Sequence, residues 1–343
     1  MSMKDNERGL LFTERFRRKL RIKEESEENT MTKIREYNIN GTIILGCDAG
    51  YGNYKTVHTI FPTSVSKSDK KPALTEEYLE YEGAFYAFGD GHKYFVADKH
   101  KDEDNYILML AAVAKELKAR GLTKAKIHLA VGLPLKWLKA QMEEFRKYLL
   151  QNSHVNFRYR NEDYSVDIVG CTVMPQCYAA VAENLRDFTG LNMLLDLGNG
   201  TGNIMLLNNG KPSESKAWTE MIGVHQAYKY IHGQVMDATG VNLPAEILNN
   251  YLKYGRTDIG SEYSTIMDRA AKECVKDIFD VLKEHDFNPD LMKLYVMGGG
   301  ARLIEKFGEY DPKRTTFNHD IRANAKGFEY YCYMTLKSQN NRK

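Results

Sequence analysis

The feature that most constrains this chain is a short unit that occurs twice: an apolar strand that reaches an aspartate and is followed by a glycine-rich turn. In the first copy, the run Thr42–Cys47 leads to Asp48 and a Gly-x-Gly turn. In the second copy, about 150 residues later, Leu191–Leu197 contains Asp196 and leads to the turn Gly198–Gly202. After each turn the chain returns as another strand. A repeat spaced by about one domain length predicts two related halves.

Strands and helices alternate through the rest of the chain. The hydrophobic period predicts helices at Asp104–Arg120, about Trp137–Gln151 and about Arg322–Lys337. Continuous apolar runs predict buried strands at Lys126–Leu133 and Leu291–Met297. This alternation indicates an α/β fold.

The domain boundaries follow from these elements. We expect a charged N-terminal tail at residues 1–40 and a first domain at 41–190 with a small insertion at about 63–103. We expect a second domain at 191–343, whose last helix packs back on the first. The tail carries a basic cluster, Arg15–Lys23, directly before a run of acidic residues. We expect it to be a flexible tail or a loosely docked helix, or residues upstream of a natural start at Met31. The alternative is an arm that contacts DNA, a partner or a neighbouring subunit.

Composition excludes several classes of function. Lys plus Arg number 48 and Asp plus Glu number 46, so the net charge is +2 and a globally basic nucleic-acid binder is not expected. The five cysteines form no Cys-x-x-Cys pair and no zinc spacing, so we expect reduced thiols in a cytoplasmic protein. The sequence contains no run of about 18 apolar residues, so we expect no membrane span.

Three glycine-rich turns that follow apolar strands are candidates for chemistry: Asp48–Lys55, Asp196–Asn203 and Gly298–Gly300. Glycine lets backbone amides approach a phosphate, and an aspartate at a strand end can hold a hydrated Mg²⁺. Taken singly, each turn is explained equally well as an ordinary hairpin or strand-to-helix connection that binds no ligand. Their joint order and spacing indicate a phosphate site, while the P-loop and dinucleotide-binding motifs are both absent from the sequence.

Together these stretches resemble the nucleotide site of the actin-like ATPase superfamily, over about residues 42–337. Asp48–Lys55 resembles its first phosphate loop, Asp196–Thr201 its second, and Val296–Ala301 its adenosine motif. Met174–Gln176 resembles the start of its first connecting helix. Within the superfamily the sequence is most similar to ParM/StbA-type plasmid-segregation actins, in the stretches Asp98–Leu117, Val131–Leu135 and Leu294–Gly300.

The resemblance implies an α/β protein with the actin-like fold, in which two ribonuclease H-like domains surround a nucleotide cleft that takes ATP and Mg²⁺. Asp48 and Asp196 would hold Mg²⁺ through water, and Asp196 would also be catalytic. Gln176 would orient the attacking water, or else it only caps or packs the helix that we predict from Pro175 to Leu185. The nucleotide contacts would come from Gly50, Tyr51, Gly52, Asn53, Lys55, Gly198, Asn199, Gly200, Thr201, Gly298, Gly299 and Gly300.

The leading functional hypothesis is an ATPase that polymerises head to tail into dynamic filaments and segregates plasmid DNA through a DNA-bound adaptor protein. This hypothesis needs no direct contact with nucleic acid or membrane. An alternative is a small-molecule (sugar or acetate) kinase, although such enzymes usually carry a catalytic aspartate where this chain has Gln176. A third is a cell-shape or division scaffold, for which the amphipathic segment 10–23 could contact a membrane.

Overall fold

The computed structural model describes residues 35–73, 75–89 and 103–341, without the side chain of Glu214. Within this part of the chain, two β-sheets form the centres of two helix-covered halves. Each half contains one of the repeated strand–turn–strand units, so the two related halves that the repeat predicts are present.

The folded body begins before residue 41. Strand β1 (Tyr37–Ile39) pairs antiparallel with β2 (Thr42–Ala49), and Asn40 and Gly41 connect them with φ values of 52° and 78°. Two consecutive positive φ values define a type I′ hairpin turn, for which Asn-Gly is a preferred pair. The tail boundary predicted at residue 40 is therefore too late by one strand. The remainder of the predicted tail, residues 1–34, lies outside the described residues.

Among the described residues, the first sheet has ten strands and contains the first strand–turn–strand unit. Its further strands are β3 (Asn53–Thr56), β4 (Ile60–Pro62), β5 (Ser64–Ser68), β6 (Tyr78–Tyr81), β7 (Ala84–Gly89), β8 (Lys124–Leu133), β9 (His154–Tyr159) and β10 (Glu162–Pro175). The order is β4-β3-β2-β8-β10-β9-β6-β7-β5, with β1 also paired to β2. β2, β8 and β10 run parallel in the middle of the sheet, where both faces are covered.

The insertion predicted at about 63–103 belongs to this sheet. Its strands β5, β6 and β7 pair antiparallel with one another, and β6 joins the main sheet where Leu79 pairs with Tyr159 of β9. Leu79 is fully buried, so the insertion shares the core of the first half. Residues 90–102 of the predicted insertion lie outside the described residues.

The second sheet has five strands in the described part of the chain and contains the second strand–turn–strand unit. Its strands are β11 (Leu191–Leu197), β12 (Gly202–Asn208), β13 (Lys211–Glu220), β14 (Lys293–Met297) and β15 (Thr315–Phe317). The order is β13-β12-β11-β14-β15, and β11, β14 and β15 run parallel. The carboxyl ends of β11 and β14 therefore lie side by side, which positions the second and third glycine-rich turns together.

The helices cover both sheets. They are α1 (Glu103–Ala119), α2 (Leu135–Leu149), α3 (Val224–Thr239), α4 (Ala245–Tyr254), α5 (Ser261–Glu284), α6 (Ala301–Phe307) and α7 (Ala323–Asn340). The last of them, α7, packs against β2 and β8 of the first sheet, where Phe328 and Cys332 are fully buried. Among the described residues, no helix combines the length and the apolar character needed to cross a membrane.

The helix predicted from Pro175 to Leu185 is wrong in its start and its type. β10 continues to Pro175, and the amide of Gln176 donates to the carbonyl oxygen of Leu133 at 2.9 Å, so the sheet pattern persists. Cys177 then has a φ of 69°, which lies in the left-handed region and prevents an α-helix from starting there. Helical structure begins at Ala179, as a 3₁₀ helix (Ala179–Asp187).

Candidate functional site

The carboxyl ends of β2 and β11 bring the two repeated aspartates to one cleft. Asp48 is 2% exposed and Asp196 is 7% exposed, so both carboxylates are withdrawn from bulk water. The cleft is lined from both halves and from the turn after β14. Of the predicted site residues, those that line it are Asp48, Gly50, Tyr51, Gly52, Asn53, Lys55, Gln176, Asp196, Gly198, Asn199, Thr201, Gly298 and Gly299.

Asp48 is held by donors on both of its oxygens. Lys55 lies directly opposite it in the β2–β3 hairpin, and Lys55 Nζ donates to Asp48 Oδ2 at 3.0 Å. Gln176 Nε2 donates to Asp48 Oδ1 at 2.9 Å. Burial alone would lower the pKa of Lys55, but the charges of Asp48 and Asp196 raise it above its usual value. Lys55 therefore remains a cation next to two carboxylates.

Asp196 is less completely paired. Asn324 Nδ2, from the first turn of α7, donates to Asp196 Oδ2 at 2.7 Å. Burial raises the pKa of Asp196 and the nearby charge of Asp48 raises it further, while Asn324 and Lys55 act in the opposite direction. The net direction is upward, so the fold leaves part of the cost of this buried charge uncompensated.

The first and second turns face each other across the cleft. The ring of Tyr51 lies beside Gly200, where a β-carbon would come within 3.6 Å of Tyr51 Cδ2. A β-carbon on Gly52 would lie 3.2 Å from the side chain of Asn199. Thr63 Oγ1 donates to the carbonyl oxygen of Tyr51 at 2.7 Å and so fixes the first turn. The space between the two turns is bordered by their backbone and by the side chains of Tyr51 and Asn199.

The third turn approaches Asp196 closely. Gly298 has a φ of 86°, and a β-carbon there would lie 2.6 Å from Asp196 Oδ1. Only glycine fits that conformation and that distance. Gly300 is not among the cleft-lining residues: its amide donates to the carbonyl oxygen of Leu197 at 2.9 Å, and a side chain would collide with Leu197. Gly300 thus packs α6 against β11.

Gly200 is the second predicted contact that does not line the cleft. Its carbonyl oxygen accepts a hydrogen bond from Gln226 Nε2 at 3.0 Å, which ties the second turn to α3. Gly198 N donates to Thr201 O at 2.8 Å and closes the same turn. Gly200 therefore shapes the turn from behind, while its neighbours border the cleft.

Two side chains that contact predicted site residues are not indicated by the sequence. Asn324 contacts Asp196, and Gln226 contacts Gly200, yet each lies on a helix in a separate part of the chain. Asn324 lies in the first turn of the last helix, two residues after the N-cap residue Arg322, where it looks like an ordinary polar helix residue. That local explanation hides its long-range contact, and no spacing in the sequence indicates it.

Two family models match this chain, one on each half. Residues 46–178 match a family described as the N-terminal domain of actin-like proteins. Residues 194–309 match a family described as the C-terminal part of archaeal actin homologues of the MreB-like type. The first match contains Asp48 and Gln176, and the second contains Asp196 and Gly298. No curated protein sequence matches the chain significantly.

Solved structures with the same fold include archaeal and bacterial proteins. The archaeal actin homologue Ta0583 in complex with ADP is 20% identical with a TM-score of 0.65, covering 85% of this chain and 99% of that chain. The Alp12 filament structure is 18% identical with a TM-score of 0.66, covering 87% and 100%. Bacillus thuringiensis ParM with ATP is 12% identical with a TM-score of 0.62, covering 89% and 100%. These similarities show the fold that the resemblance implied.

Proposed function

Because this chain belongs to the actin-like superfamily, we propose that it binds ATP together with Mg²⁺ in the cleft between its two halves and hydrolyses it. The observation that carries the proposal is the meeting of Asp48, Lys55, Gln176 and Asp196 at the ends of two strands. Two carboxylates, one cation and one amide around glycine turns suit a phosphate chain and its metal ion. Two neighbours of the same fold are described with ADP and with ATP.

The donor set fits a hydrated magnesium ion. Mg²⁺ prefers oxygen ligands and keeps several of its waters. Both oxygens of Asp48 already accept hydrogen bonds from Lys55 and Gln176, and Asp196 Oδ2 accepts one from Asn324. Contact through water therefore suits these carboxylates better than direct ligation. When bound, the ion would neutralise charge on the phosphate oxygens.

The protein's own groups would bind the phosphates and position water. Backbone amides of the turns around Gly52 and Gly198 can donate to phosphate oxygens, and Lys55 supplies positive charge. Gln176 Nε2 donates to Asp48, so Gln176 Oε1 is the atom that can accept a hydrogen bond from the attacking water. An amide does not take the proton, and its contribution is orientation.

We further propose that ATP-bound subunits assemble head to tail and that hydrolysis weakens the polymer. A head-to-tail interface is heterologous and extends without closing, as a filament requires. Alp12 of the same fold is described as a filament, and ParM proteins are among the structural neighbours. We propose plasmid segregation as the task of the filament, from the resemblance to plasmid-segregation actins. We propose that a DNA-binding adaptor makes the contact with DNA, because the net charge of +2 does not favour direct DNA binding.

Sedimentation combined with phosphate release tests the proposal on the full chain. With Mg-ATP we expect pelletable polymer and released phosphate, and without nucleotide or with excess chelator we expect neither. Absence of polymer over a broad range of protein and salt concentrations would overturn the filament proposal. Turnover that depends on an added sugar or acetate would instead favour the kinase.

A further inference from the structure

Helix α7 is seated unusually close to the first sheet. A β-carbon on Gly46, in the middle of β2, would collide with the backbone of Ala325, and one on Gly327 would collide with the backbone of Ala179. Glu329, which is fully buried, accepts a hydrogen bond from the amide of Gly46 at 3.0 Å. Because the backbone of α7 packs directly against β2 and against the 3₁₀ helix, the first turn of α7 has little freedom to move.

Asn324 lies on that first turn and makes two hydrogen bonds in different directions. Its Nδ2 donates to Asp196 Oδ2 at 2.7 Å, and its Oδ1 accepts from the amide of Cys177 at 3.0 Å. The side chain is 8% exposed, so it has little access to water as an alternative partner. Since a carboxylate only accepts and an amide N–H only donates, these two contacts fix which end of the Asn324 amide faces which neighbour.

The Cys177 contact holds a strained turn. Cys177 has a φ of 69° and is 1% exposed, and a residue with a β-carbon adopts this conformation only when its surroundings impose it. Cys177 directly follows Gln176, whose side chain reaches Asp48. The backbone conformation at Cys177 sets the path of the chain directly after Gln176 and so helps to hold the Gln176 backbone in place.

We infer that Asn324 is a positioning residue that fixes Asp196 and the Gln176–Cys177 turn relative to each other. The contacts form a continuous chain from Asp48 through Gln176, Cys177 and Asn324 to Asp196, and so join the two sheets beneath the cleft. Asn324 is at the wall of the cleft, and we assign its role to the two contacts that it makes there, with Asp196 and with the Cys177 amide. The inference rests on the proposed ATP hydrolysis for its kinetic consequence, but the contact with Cys177 exists without nucleotide.

The test compares Asn324→Ala and the isosteric Asn324→Asp with the parent chain. A hydrogen bond to a charged group is lost in both, so we expect kcat for Mg-ATP hydrolysis to fall about tenfold or more. In Asn324→Ala, the KM and the dissociation constant for Mg-ATP should change much less than kcat, because the turns that bind phosphate are untouched. In nucleotide-free protein, hydrogen exchange at the Cys177 amide should be faster in Asn324→Ala than in Asn324→Asp, which keeps an acceptor oxygen.

Cys332→Ala is the matched control. Cys332 is fully buried on the same helix and lies far along it from the cleft, with its Sγ 3.5 Å from Thr172 Oγ1. This change should lower the thermal midpoint while kcat and exchange at Cys177 keep their parent values. If Asn324→Ala and Asn324→Asp both keep the parent kcat and the parent exchange rate, the inference is wrong. If the parent itself hydrolyses no ATP, the proposed function fails, and the exchange rates alone decide the role of Asn324.

Discussion

Among the buried carboxylates of the fold, Glu116 on α1 and Asp196 on β11 differ in how fully neighbouring donors and cations compensate their charge. Glu116 lies 2.8 Å from His58 Nδ1, accepts from the His58 amide at 2.9 Å, and also accepts from Thr56 Oγ1 and Arg120 Nη1. Burial alone would raise its pKa, but these donors and the Arg120 charge lower it to about 2. The pKa of Asp196 moves in the opposite direction, because burial and Asp48 outweigh Asn324 and Lys55.

The difference separates a buried charge that the fold compensates from one that it leaves partly uncompensated. Glu116 is compensated inside the fold, where it fixes the loop between β3 and β4 to α1. Asp196 is left short of positive charge in a cleft that opens to solvent, as expected of a carboxylate that receives a cationic ligand. We therefore expect changes at Glu116 to cost stability and changes at Asp196 to cost activity.

Asp196→Asn should give the largest effect on activity. The substitution keeps the shape but removes the charge that would hold Mg²⁺ in place, so we expect ATP turnover to fall by about 10³-fold. The free energy of unfolding should stay level or rise, because a partly compensated buried charge is gone. Phosphate release and urea unfolding measure the two quantities. If Asp196→Asn turns over ATP at the parent rate, Asp196 has no role in ATP hydrolysis.

Glu116→Gln should show the reverse pattern. Arg120 is 3% exposed at its side chain and would lose its carboxylate partner, so we expect the free energy of unfolding to drop by about 3–5 kcal/mol. At temperatures well below the thermal midpoint of unfolding, the rate of ATP turnover per folded molecule should match that of the parent. Guanidinium unfolding and phosphate release at low temperature check both. A variant that lost turnover while keeping parent stability would contradict the division between the two carboxylates.

Low pH should reduce the free energy of unfolding of the unsubstituted protein through protonation of Glu116. The pKa of Glu116 lies near 2 in the folded protein against 4.5 for an unperturbed glutamate, so the unfolded state binds more protons between these values. The shift in the pKa of Glu116 contributes about 3 kcal/mol to the free energy of unfolding. This contribution is complete above pH 4.5 and is lost as the pH falls toward 2. Unfolding free energies measured across this window should fall less steeply in Glu116→Gln, and equal slopes would count against the assignment.

Gln176→Ala should have the smallest of these effects. Loss of a water-orienting amide is expected to slow hydrolysis between about ten- and a hundredfold, with little change in Mg-ATP affinity. Filaments should then persist longer after ATP addition, which light scattering records. Hydrolysis at the parent rate in Gln176→Ala would exclude the orienting role.

The parts of the site that the sequence predicts are the ones built from consecutive residues. Asp48 and Lys55 face each other because a tight hairpin follows the strand, and that geometry is readable from the order of residues. The same holds for Asp196 and its glycine turn. The hairpin at Asn40-Gly41 has an equally local signal, because Asn-Gly is a preferred pair for a type I′ turn.

The parts that the sequence does not predict depend on partners distant in the chain. Asn324 meets Asp196 across 128 positions, and Glu329 meets Gly46 across 283. Glu116 looks like an ordinary polar residue on an amphipathic helix, yet it is buried because the β3–β4 loop folds over it. The α-helix predicted after Pro175 fails for the same reason, since a sheet contact to Leu133 and the turn at Cys177 override local propensity.

Electron microscopy of the full chain with and without Mg-ATP tests the central claim most directly, because it reads out assembly and the nucleotide site together. We expect filaments only with Mg-ATP, with nucleotide density between the turns at residues 50–53 and 198–201 and its phosphates next to Lys55. Protein that stays unassembled under all conditions, or nucleotide density located outside this cleft, would contradict the account.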